Sequence, residues 1–400
     1  MKSQEYIEIE DRYGAHNYKP LDVVVTKGNG VWLEDVDGKK YMDFLAAYSA
    51  VNQGHCHPQL VKVVQRQAEQ LTLTSRAFRN DQWPLLAKEL SELTGFELVL
   101  PMNSGAEAVE TAIKAARKWG YKIKGVEENK AEIIVCDGNF HGRTITIITF
   151  SPEKQYKDGF SPLTPGFKMI PYGDADSLEK AITPNTVAFL VEPIQGEGGV
   201  VVPPAGFLMK AREICTQHNV LLIADEIQSG LGRTGKIFAC EHENVRADMV
   251  TIGKALSGGM YPVSATLASK EILGVFNPGD HGSTFGGNPL GSAVAREALR
   301  VIVEEKLCEN AAELGDYLMQ RLQKIQSPHV DFYRGKGLWI GIVLKNGAGG
   351  ARRFCEALKE KGVLAKETHW NIIRLAPPLV ITKKEIDWAI ERIEQVLMMD

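Results

Sequence analysis

Several short runs of this sequence are apolar at almost every position, and they constrain the fold more than any other feature. The strand candidates are 97–100, 132–136, 187–191, 220–224, 249–252 and 264–268. A strand that faces water on one side alternates apolar and polar residues, so an unbroken apolar run predicts a strand covered on both faces. Because helical stretches separate these runs, the sequence predicts an α/β fold, with a mostly parallel sheet covered by helices.

The length of 400 residues exceeds the usual size of a single domain and predicts a large domain with a smaller one. We expect an N-terminal segment, 1–50, which carries a hairpin around the Asp37-Gly38 turn. Residues 51–287 would form the large domain, and residues 288–400 a smaller α+β domain that packs with the hairpin. In this last part the pattern predicts helices near 289–305 and 308–325, strands near 338–344, 363–366 and 371–375, and a final helix from about Lys383.

Charge and composition exclude several classes of function. A net charge of −4 provides no field that attracts nucleic acid or an anionic membrane. No apolar run has the length of a membrane span, and the polar, acidic start does not resemble a signal peptide, so we expect a cytoplasmic protein. The six cysteines are widely spaced and predict reduced thiols. His55-Cys56-His57 has no matching Cys/His pair at zinc-finger spacing, so no metal site is expected.

Two of the apolar runs lead directly to charged residues. Asp225 follows the run 220–224, and Lys254 comes two residues after the run 249–252. The carboxyl ends of parallel strands meet at one edge of a sheet, where open α/β sheets bind their ligands. Pyridoxal phosphate enzymes need such a pair, a lysine that attaches the cofactor and a carboxylate that keeps its pyridine nitrogen protonated. For either residue alone, an N-cap aspartate or an unrelated surface lysine is the simpler explanation.

A third strand candidate, 97–100, leads into Ser104, Gly105 and Ala106 at the start of a predicted helix. The free N–H groups and positive dipole end of a helix N-terminus favour a phosphate dianion. An ordinary helix cap with Glu107 and Glu110 in the first turn is the alternative explanation. The position at the carboxyl end of a strand, level with Asp225 and Lys254, favours phosphate.

The turn after the strand candidate 132–136 carries an aromatic residue and an arginine. Phe140 is placed to lie on a cofactor ring, and Arg143 to face a substrate carboxylate. An arginine in a glycine-rich turn is otherwise usually a solvated loop residue.

Asp225 and Lys254, in this order, resemble the signature of the class III (subgroup II) aminotransferases, and almost the whole chain is similar to the ornithine aminotransferases of that class. The matching stretches are 13–18, 48–58, 71–78, 191–197, 281–289 and 373–378. The last three occur across class III, whereas the first three point to ornithine. The resemblance implies the fold type I of pyridoxal phosphate enzymes and transfer of the δ-amino group of L-ornithine to 2-oxoglutarate. The products would be L-glutamate 5-semialdehyde and L-glutamate, in arginine metabolism and proline biosynthesis.

The resemblance also implies how the cofactor, pyridoxal 5'-phosphate, is held. Lys254 would attach it covalently and, once displaced by substrate, would move the proton of the reaction. Asp225 would pair with the pyridinium, Phe140 would stack on the ring, and Gln228 would bind the ring hydroxyl. The other implied contacts are Ser104, Gly105 and Ala106 at the phosphate, His141 without a special role, and Ser283 and Thr284, which would reach the partner subunit's phosphate. The smallest active unit would then be a homodimer.

The implied substrate residues follow from charge. Glutamate brings a carboxylate next to its reacting amine, whereas ornithine does not, and one site must accept both. Arg374 would bind the α-carboxylate of glutamate, and Glu197 would neutralise Arg374 when ornithine is present. Arg143, with Tyr18, would bind the carboxylate remote from the reaction, and Tyr48 would line the same wall. A plain interdomain salt bridge is the alternative for Glu197 and Arg374.

Other functions remain open at this stage. Acetylornithine and 4-aminobutyrate aminotransferases share the lysine, aspartate and arginine, although Tyr18 and Tyr48 favour a free α-amino acid end. Related folds also catalyse racemisation, aminomutase and decarboxylation reactions. The glycine-rich turn 346–350 after an apolar run suggests dinucleotide binding, but its spacing is not G-x-G-x-x-G. A non-catalytic, cofactor-sensing protein would need a basic DNA-reading segment, which the sequence lacks.

Overall fold

The strands of the computed structural model, which describes residues 1–399, form three sheets. The strands are β1 Val25–Asn29, β2 Trp32–Asp35, β3 Lys40–Asp43, β4 Leu98–Met102, β5 Glu132–Cys136, β6 Phe167–Ile170, β7 Thr186–Val191, β8 Leu221–Asp225, β9 Met249–Ile252, β10 Ser264–Ala268, β11 Val330–Gly335, β12 Ile340–Leu344, β13 Val363–Leu364, β14 Lys366–Thr368 and β15 Ile372–Leu375.

Helices connect and cover these strands. The α-helical segments are Ser3–Tyr13, Ala46–Ser49, Pro58–Ala68, Gln82–Thr94, Gly105–Trp119, Ile145–Thr149, Lys154–Lys157, Ala175–Ala181, Phe207–Gln217, Lys270–Leu273, Pro289–Glu304, Leu307–Gln323, Arg352–Glu360 and Lys383–Leu397. A π-helical turn spans Gly120–Lys124, and 3₁₀ turns span Ala239–Glu243, Lys254–Ser257 and Asn346–Ala348. The four residues of the short segment Ala46–Ser49 all have positive φ, so this turn is left-handed.

The largest sheet has seven strands in the order β4-β10-β9-β8-β7-β5-β6. All neighbours from β9 to β6 are parallel, and β10 is antiparallel to both β9 and β4. Alternate residues of its strands belong to two different hydrophobic cores. On one face, Leu222 lies in the same core as Ile214, and on the other face, Ile223 lies in the same core as Ile113. Burial of both faces explains the unbroken apolar runs, and the predicted mostly parallel α/β fold is confirmed.

The other two sheets have four strands each. In one, with the order β1-β2-β3-β13, the N-terminal hairpin pairs in parallel with a strand from the C-terminal part of the chain. In the other, β11-β12-β15-β14, all pairs are antiparallel. The single strand expected near 363–366 is therefore two strands, which join different sheets on either side of Ala365. The division of the chain at 50/51 and 287/288 stays a prediction.

Sequence reasoning missed some elements. The helix Ser3–Tyr13 and the strands β1, β6 and β11 were not expected. The strand β6 lies at the edge of the large sheet and its Met169 is exposed. It therefore lacks the unbroken apolar pattern from which the neighbouring strands were predicted. The glycine-rich turn 346–350 follows β12, whose neighbours are both antiparallel, so the parallel βαβ unit of a dinucleotide-binding domain is not formed there.

Two expectations from composition concern the chain as a whole. The six cysteines are free thiols in the described residues, and four of them are buried. No helix within residues 1–399 is long and apolar enough to span a membrane.

Candidate active site

A cavity of about 270 Å³ lies at the carboxyl ends of the central strands. It is lined by Gly105, Ala106, Phe140, His141, Gly142, Glu192, Ile194, Asp225, Ile227, Gln228, Ser229 and Lys254. Seven of the predicted cofactor residues thus line one cavity. The strands β5, β7, β8 and β9 are parallel, so the loops that follow them begin at the same edge of the sheet.

Asp225, the last residue of β8, is buried and held from three directions. Its Oδ1 accepts hydrogen bonds from the Ile227 N–H at 3.1 Å and the Thr251 hydroxyl at 3.2 Å. Its Oδ2 lies 2.6 Å from His141 Nδ1. Since an ionised carboxylate only accepts, His141 donates this bond, and the orientation of Asp225 is fixed.

His141, for which the sequence suggested no special role, is the direct partner of Asp225. Its side chain is fully buried. Burial by itself lowers the pKa of His141, but the hydrogen bond and charge of Asp225 outweigh burial, and the pKa is raised. The second ring nitrogen, Nε2, has no hydrogen-bond partner among the described residues.

Lys254 begins the 3₁₀ turn that follows β9, and its backbone has a φ of 43°. A left-handed conformation at a residue other than glycine is strained, and such strain clusters at functional sites. Burial lowers the pKa of the Lys254 amine, against the opposing charges of Asp225, Glu197 and Glu192. A lowered pKa increases the fraction of neutral amine, the form that acts as a nucleophile or base.

The helix Gly105–Trp119 directs its N-terminus at the cavity. Ser104 is its N-cap and accepts from the Glu107 N–H at 3.2 Å, while the Glu107 carboxylate accepts from the Ser104 N–H at 2.7 Å. The predicted capping residues therefore form a capping box, while Gly105 and Ala106 line the cavity. A Cβ on Gly105 would lie 3.1 Å from Ile227, so the helix start packs closely against the loop after β8.

Glu197 and Arg374 form an ion pair beside the cavity. The Arg374 side chain is 1% exposed, and its Nη1 lies 2.6 Å from Glu197 Oε1. Burial raises the pKa of Glu197, but the charge and hydrogen bonding of Arg374 outweigh it, and the pKa is lowered. Arg374 also lies 4.7 Å from the centre of the Tyr48 ring, and the Tyr48 carbonyl accepts from Gln228 Nε2 at 3.3 Å. These contacts connect the ion pair to the cavity wall.

Phe140 and Arg143 lie on the loop that follows β5. The Arg143 guanidinium lies 4.2 Å from the ring centre of Tyr156 and 5.8 Å from that of Phe140. Arg143 is exposed, which leaves its charge accessible to an anion. Tyr156, which the sequence did not single out, thus holds the arginine in place through a cation–π contact.

Eight of the predicted site residues do not line this cavity: Tyr18, Tyr48, Ser104, Arg143, Glu197, Ser283, Thr284 and Arg374. Tyr18 is 72% exposed and lies, with Tyr48, along a second cavity of about 670 Å³. Thr284 is exposed, and the Ser283 hydroxyl accepts from Asn103 Nδ2 at 2.7 Å. The roles of these residues stay predictions, as do those of the seven residues that line the cavity.

Sequence reasoning also gave no role to Glu192, which lines the cavity and is 6% exposed. Burial raises the pKa of Glu192 to about 7. The residue directly follows the apolar strand β7, as Asp225 ends β8. The same signal, an apolar run that ends in a charge, could have found it.

Comparison with known protein families shows to which family the chain belongs. The model of the family described as aminotransferase class-III matches residues 13–397. The chain belongs to the class-III aminotransferases. This result confirms the resemblance drawn from Asp225 and Lys254.

Several class-III aminotransferases are similar to this chain over almost their whole length. An ornithine aminotransferase from Geobacillus sp. (strain WCH70) is 59% identical over 395 residues, which cover 99% of this chain and 98% of the relative. A crystal structure of the ornithine aminotransferase from Toxoplasma gondii, with partial occupancy of PLP at its active site, has a TM-score of 0.98 and 44% identity, covering 99% of this chain and 94% of the other. The acetylornithine aminotransferase from Elizabethkingia anophelis has a TM-score of 0.91 and 50% identity, covering 99% of both chains.

Proposed function

We propose that this class-III aminotransferase transfers the δ-amino group of L-ornithine to 2-oxoglutarate, giving L-glutamate 5-semialdehyde and L-glutamate. The cofactor of the proposal is pyridoxal 5'-phosphate. The observation that carries it is one cavity that holds both the Lys254 amine and the Asp225 carboxylate, next to the Glu197–Arg374 ion pair. The full-length similarity to ornithine aminotransferases supports the choice of substrate.

The residues of the cavity fit this cofactor. Lys254 offers an amine for the covalent link, and Asp225 a carboxylate for the pyridine nitrogen. The N–H groups of Gly105 and Ala106, at a helix N-terminus, suit the phosphate, and Phe140 suits the face of the ring. Gln228 would bind the ring hydroxyl. When bound, the cofactor supplies an aldehyde that receives the amino group and a ring that withdraws electrons.

Two side chains of the protein control protons in this mechanism. Asp225 accepts from His141 Nδ1 on one oxygen and from Ile227 and Thr251 on the other, which keeps it a fixed acceptor. Lys254 Nζ, whose pKa burial lowers, takes the proton from the reacting carbon of the substrate and returns it later in the reaction.

The substrate carboxylates are bound by two arginines. Arg143 binds the carboxylate remote from the reaction, with Tyr18 and Tyr48 along the same wall. Arg374 binds the α-carboxylate of glutamate once Glu197 moves away. With ornithine, Glu197 stays on Arg374, so the buried guanidinium keeps a counter-charge.

The wider context of the enzyme is also part of the proposal. A homodimer would bring Ser283 and Thr284 of one subunit to the phosphate of the other, which agrees with their position outside their own cavity. A cytoplasmic location and a place in arginine metabolism and proline biosynthesis are inferred from the sequence alone.

A second candidate substrate is acetylornithine. The 50% identity to the acetylornithine aminotransferase from Elizabethkingia anophelis favours it, because the lysine, aspartate and arginines serve both reactions. Tyr18 and Tyr48 are the proposed specificity residues, because they would be polar partners for a free α-amino acid end, which acetylation changes. Tyr18 is exposed, and the Tyr48 ring packs on Arg374. A third candidate, 4-aminobutyrate, keeps a carboxylate remote from its reacting amine, as ornithine does, but lacks the α-amino group.

The test is the reaction of purified enzyme with three amine donors. With 2-oxoglutarate present, we expect L-ornithine to give the highest kcat/KM and a semialdehyde that cyclises to pyrroline-5-carboxylate. The cofactor absorbance should change on addition of L-ornithine alone. A higher kcat/KM with acetylornithine or 4-aminobutyrate would reassign the substrate, and a purified protein that takes up no cofactor would refute the proposal.

A further inference from the structure

Two loops that carry different parts of the proposed mechanism leave neighbouring strands. The cofactor loop, residues 137–144, follows β5 and carries Phe140 and Arg143. The switch loop, residues 192–199, follows β7 and carries Glu197. The two strands are adjacent and parallel, so both loops begin at the same edge of the sheet.

Glu192 joins these two loops with one carboxylate. Its Oε2 accepts from the Phe140 N–H at 2.9 Å, and its Oε1 accepts from the Gly196 N–H at 3.3 Å. The side chain is buried, so water does not compete for either bond. Each oxygen thus fixes the backbone of a different loop, at the predicted ring-stacking residue Phe140 in one and directly before Glu197 in the other.

The surroundings leave little room for these loops to shift independently. A Cβ on Gly196 would lie 1.7 Å from Gln228 Oε1, and Gln195 Nε2 donates to the Asp137 carbonyl at 2.7 Å. A Cβ on Gly198 would lie 3.1 Å from the Gly138 carbonyl. Because the loops are packed this closely, a change in one backbone is transmitted to the other.

We propose that Glu192 is a positioning residue that couples the cofactor loop to the switch loop, so that one carboxylate fixes the positions of both Phe140 and the Glu197–Arg374 pair. This inference rests on the proposed function for the roles of Phe140 and Glu197. The coupling itself is a property of the backbone and can be measured without any substrate.

The substitution Glu192→Gln tests the coupling in the holoenzyme. An amide has one acceptor and one donor end, so only one of the two backbone N–H groups keeps a partner. We expect hydrogen exchange of peptides covering 137–144 or 192–199 to accelerate about tenfold, and the cofactor dissociation constant to rise about tenfold. The kcat/KM for ornithine should fall more than that for glutamate, because a displaced Glu197 no longer neutralises Arg374.

Glu226→Gln is the matched control. Glu226 is also a buried carboxylate at the end of a neighbouring strand, but it accepts from the Ser229 hydroxyl and from the Cys240 N–H, which lie outside both loops. We expect this variant to keep the wild-type cofactor affinity and the wild-type ratio of the two half-reactions. Equal effects of Glu192→Gln and Glu226→Gln would overturn the coupling, as would unchanged exchange and cofactor affinity in Glu192→Gln.

Two further provisions keep the coupling testable if the first variant fails to fold or if ornithine is not the substrate. If Glu192→Gln does not fold, Glu192→Asp keeps the carboxyl group but withdraws it by one methylene, and it should change exchange and cofactor affinity in the same direction. If the wild-type enzyme does not use ornithine, the proposed function fails, while exchange and cofactor affinity still decide whether Glu192 couples the loops.

Discussion

At the scale of single residues, the site is organised by charges that are buried in pairs. Arg374 is almost completely inaccessible, and its carboxylate partner Glu197 is partly exposed, at 30%. The more accessible partner is the one that can move to water when a substrate carboxylate arrives. A buried guanidinium left without a partner would cost several kcal/mol, so the proposed mechanism keeps either Glu197 or the α-carboxylate of glutamate on Arg374 at all times.

Arg374→Ala should therefore damage the two half-reactions unequally. We expect the kcat/KM for glutamate to fall at least about 100-fold and that for ornithine less than about tenfold, since only glutamate brings a carboxylate to this arginine. Single-turnover absorbance measurements with each amine donor would check this. Arg143→Ala is the comparison, because its carboxylate site serves both substrates and both rates should fall. Equal losses in Arg374→Ala would remove the charge switch from the mechanism.

At the scale of elements, close backbone contacts fix the C-terminal part of the chain against the loops of the large sheet. Gly315 lies in the helix Leu307–Gln323, where a Cβ would come within 2.2 Å of the Gly337 backbone. Gly337 in turn has a φ of 59°, and a Cβ there would lie 2.6 Å from the backbone of Thr234. Helix, turn and loop therefore touch through backbone atoms, which only glycine permits at these positions.

Gly315→Ala should lower the free energy of unfolding by about 2 kcal/mol, although alanine is the better helix former, because the added methyl group overpacks the contact with Gly337. Denaturant unfolding monitored by circular dichroism would measure the change. Gly347→Ala is the control, since a Cβ added there would meet no other heavy atom of the described residues within 4 Å and no stability should be lost. Wild-type stability in Gly315→Ala would contradict the contact.

At the scale of the whole molecule, one buried arginine connects three distant parts of the chain. Arg233 donates to Asn52 Oδ1 at 2.5 Å and to the carbonyls of Leu338 and Pro377 at 2.8 and 2.7 Å. Its side chain is 0% exposed, and burial lowers its pKa to about 9. Pro377 lies three residues after Arg374, so the same contact ties the segment of Arg374 to the large sheet.

Arg233→Met should lower the free energy of unfolding by about 3 kcal/mol, because three buried acceptors lose their donor at once. Arg246→Met is the matched control, since Arg246 is exposed and donates to the Gly95 carbonyl at the surface, and its loss should cost less than about 1 kcal/mol. Thermal and denaturant unfolding of both variants would decide. Equal stability of the Arg233→Met variant and the wild type would show that the desolvation of this charge offsets its hydrogen bonds.

Much of the fold and the centre of the site could be predicted because their signals are local. A strand buried on both faces is apolar at every position, and the charge that ends it lies at the ligand-binding edge, which is how β8 and β9 led to Asp225 and Lys254. The edge strand β6 was not predicted, because one of its faces is exposed and its sequence is not an unbroken apolar run. Glu192 carried the same local signal but was recognised only in the structure.

The sequence by itself determined the α/β class, the central strands and the position of Asp225 and Lys254 at the carboxyl ends of two of them, since each depends on a run of a few neighbouring residues. Only the tertiary structure decided that His141 holds Asp225, that Glu192 joins two loops, and that the strands on either side of Ala365 enter different sheets. It also decided the distance between Glu197 and Arg374, which lie 177 positions apart in the chain. Such contacts depend on how whole elements pack, and no local pattern of residues encodes the direction of a side chain across a sheet edge.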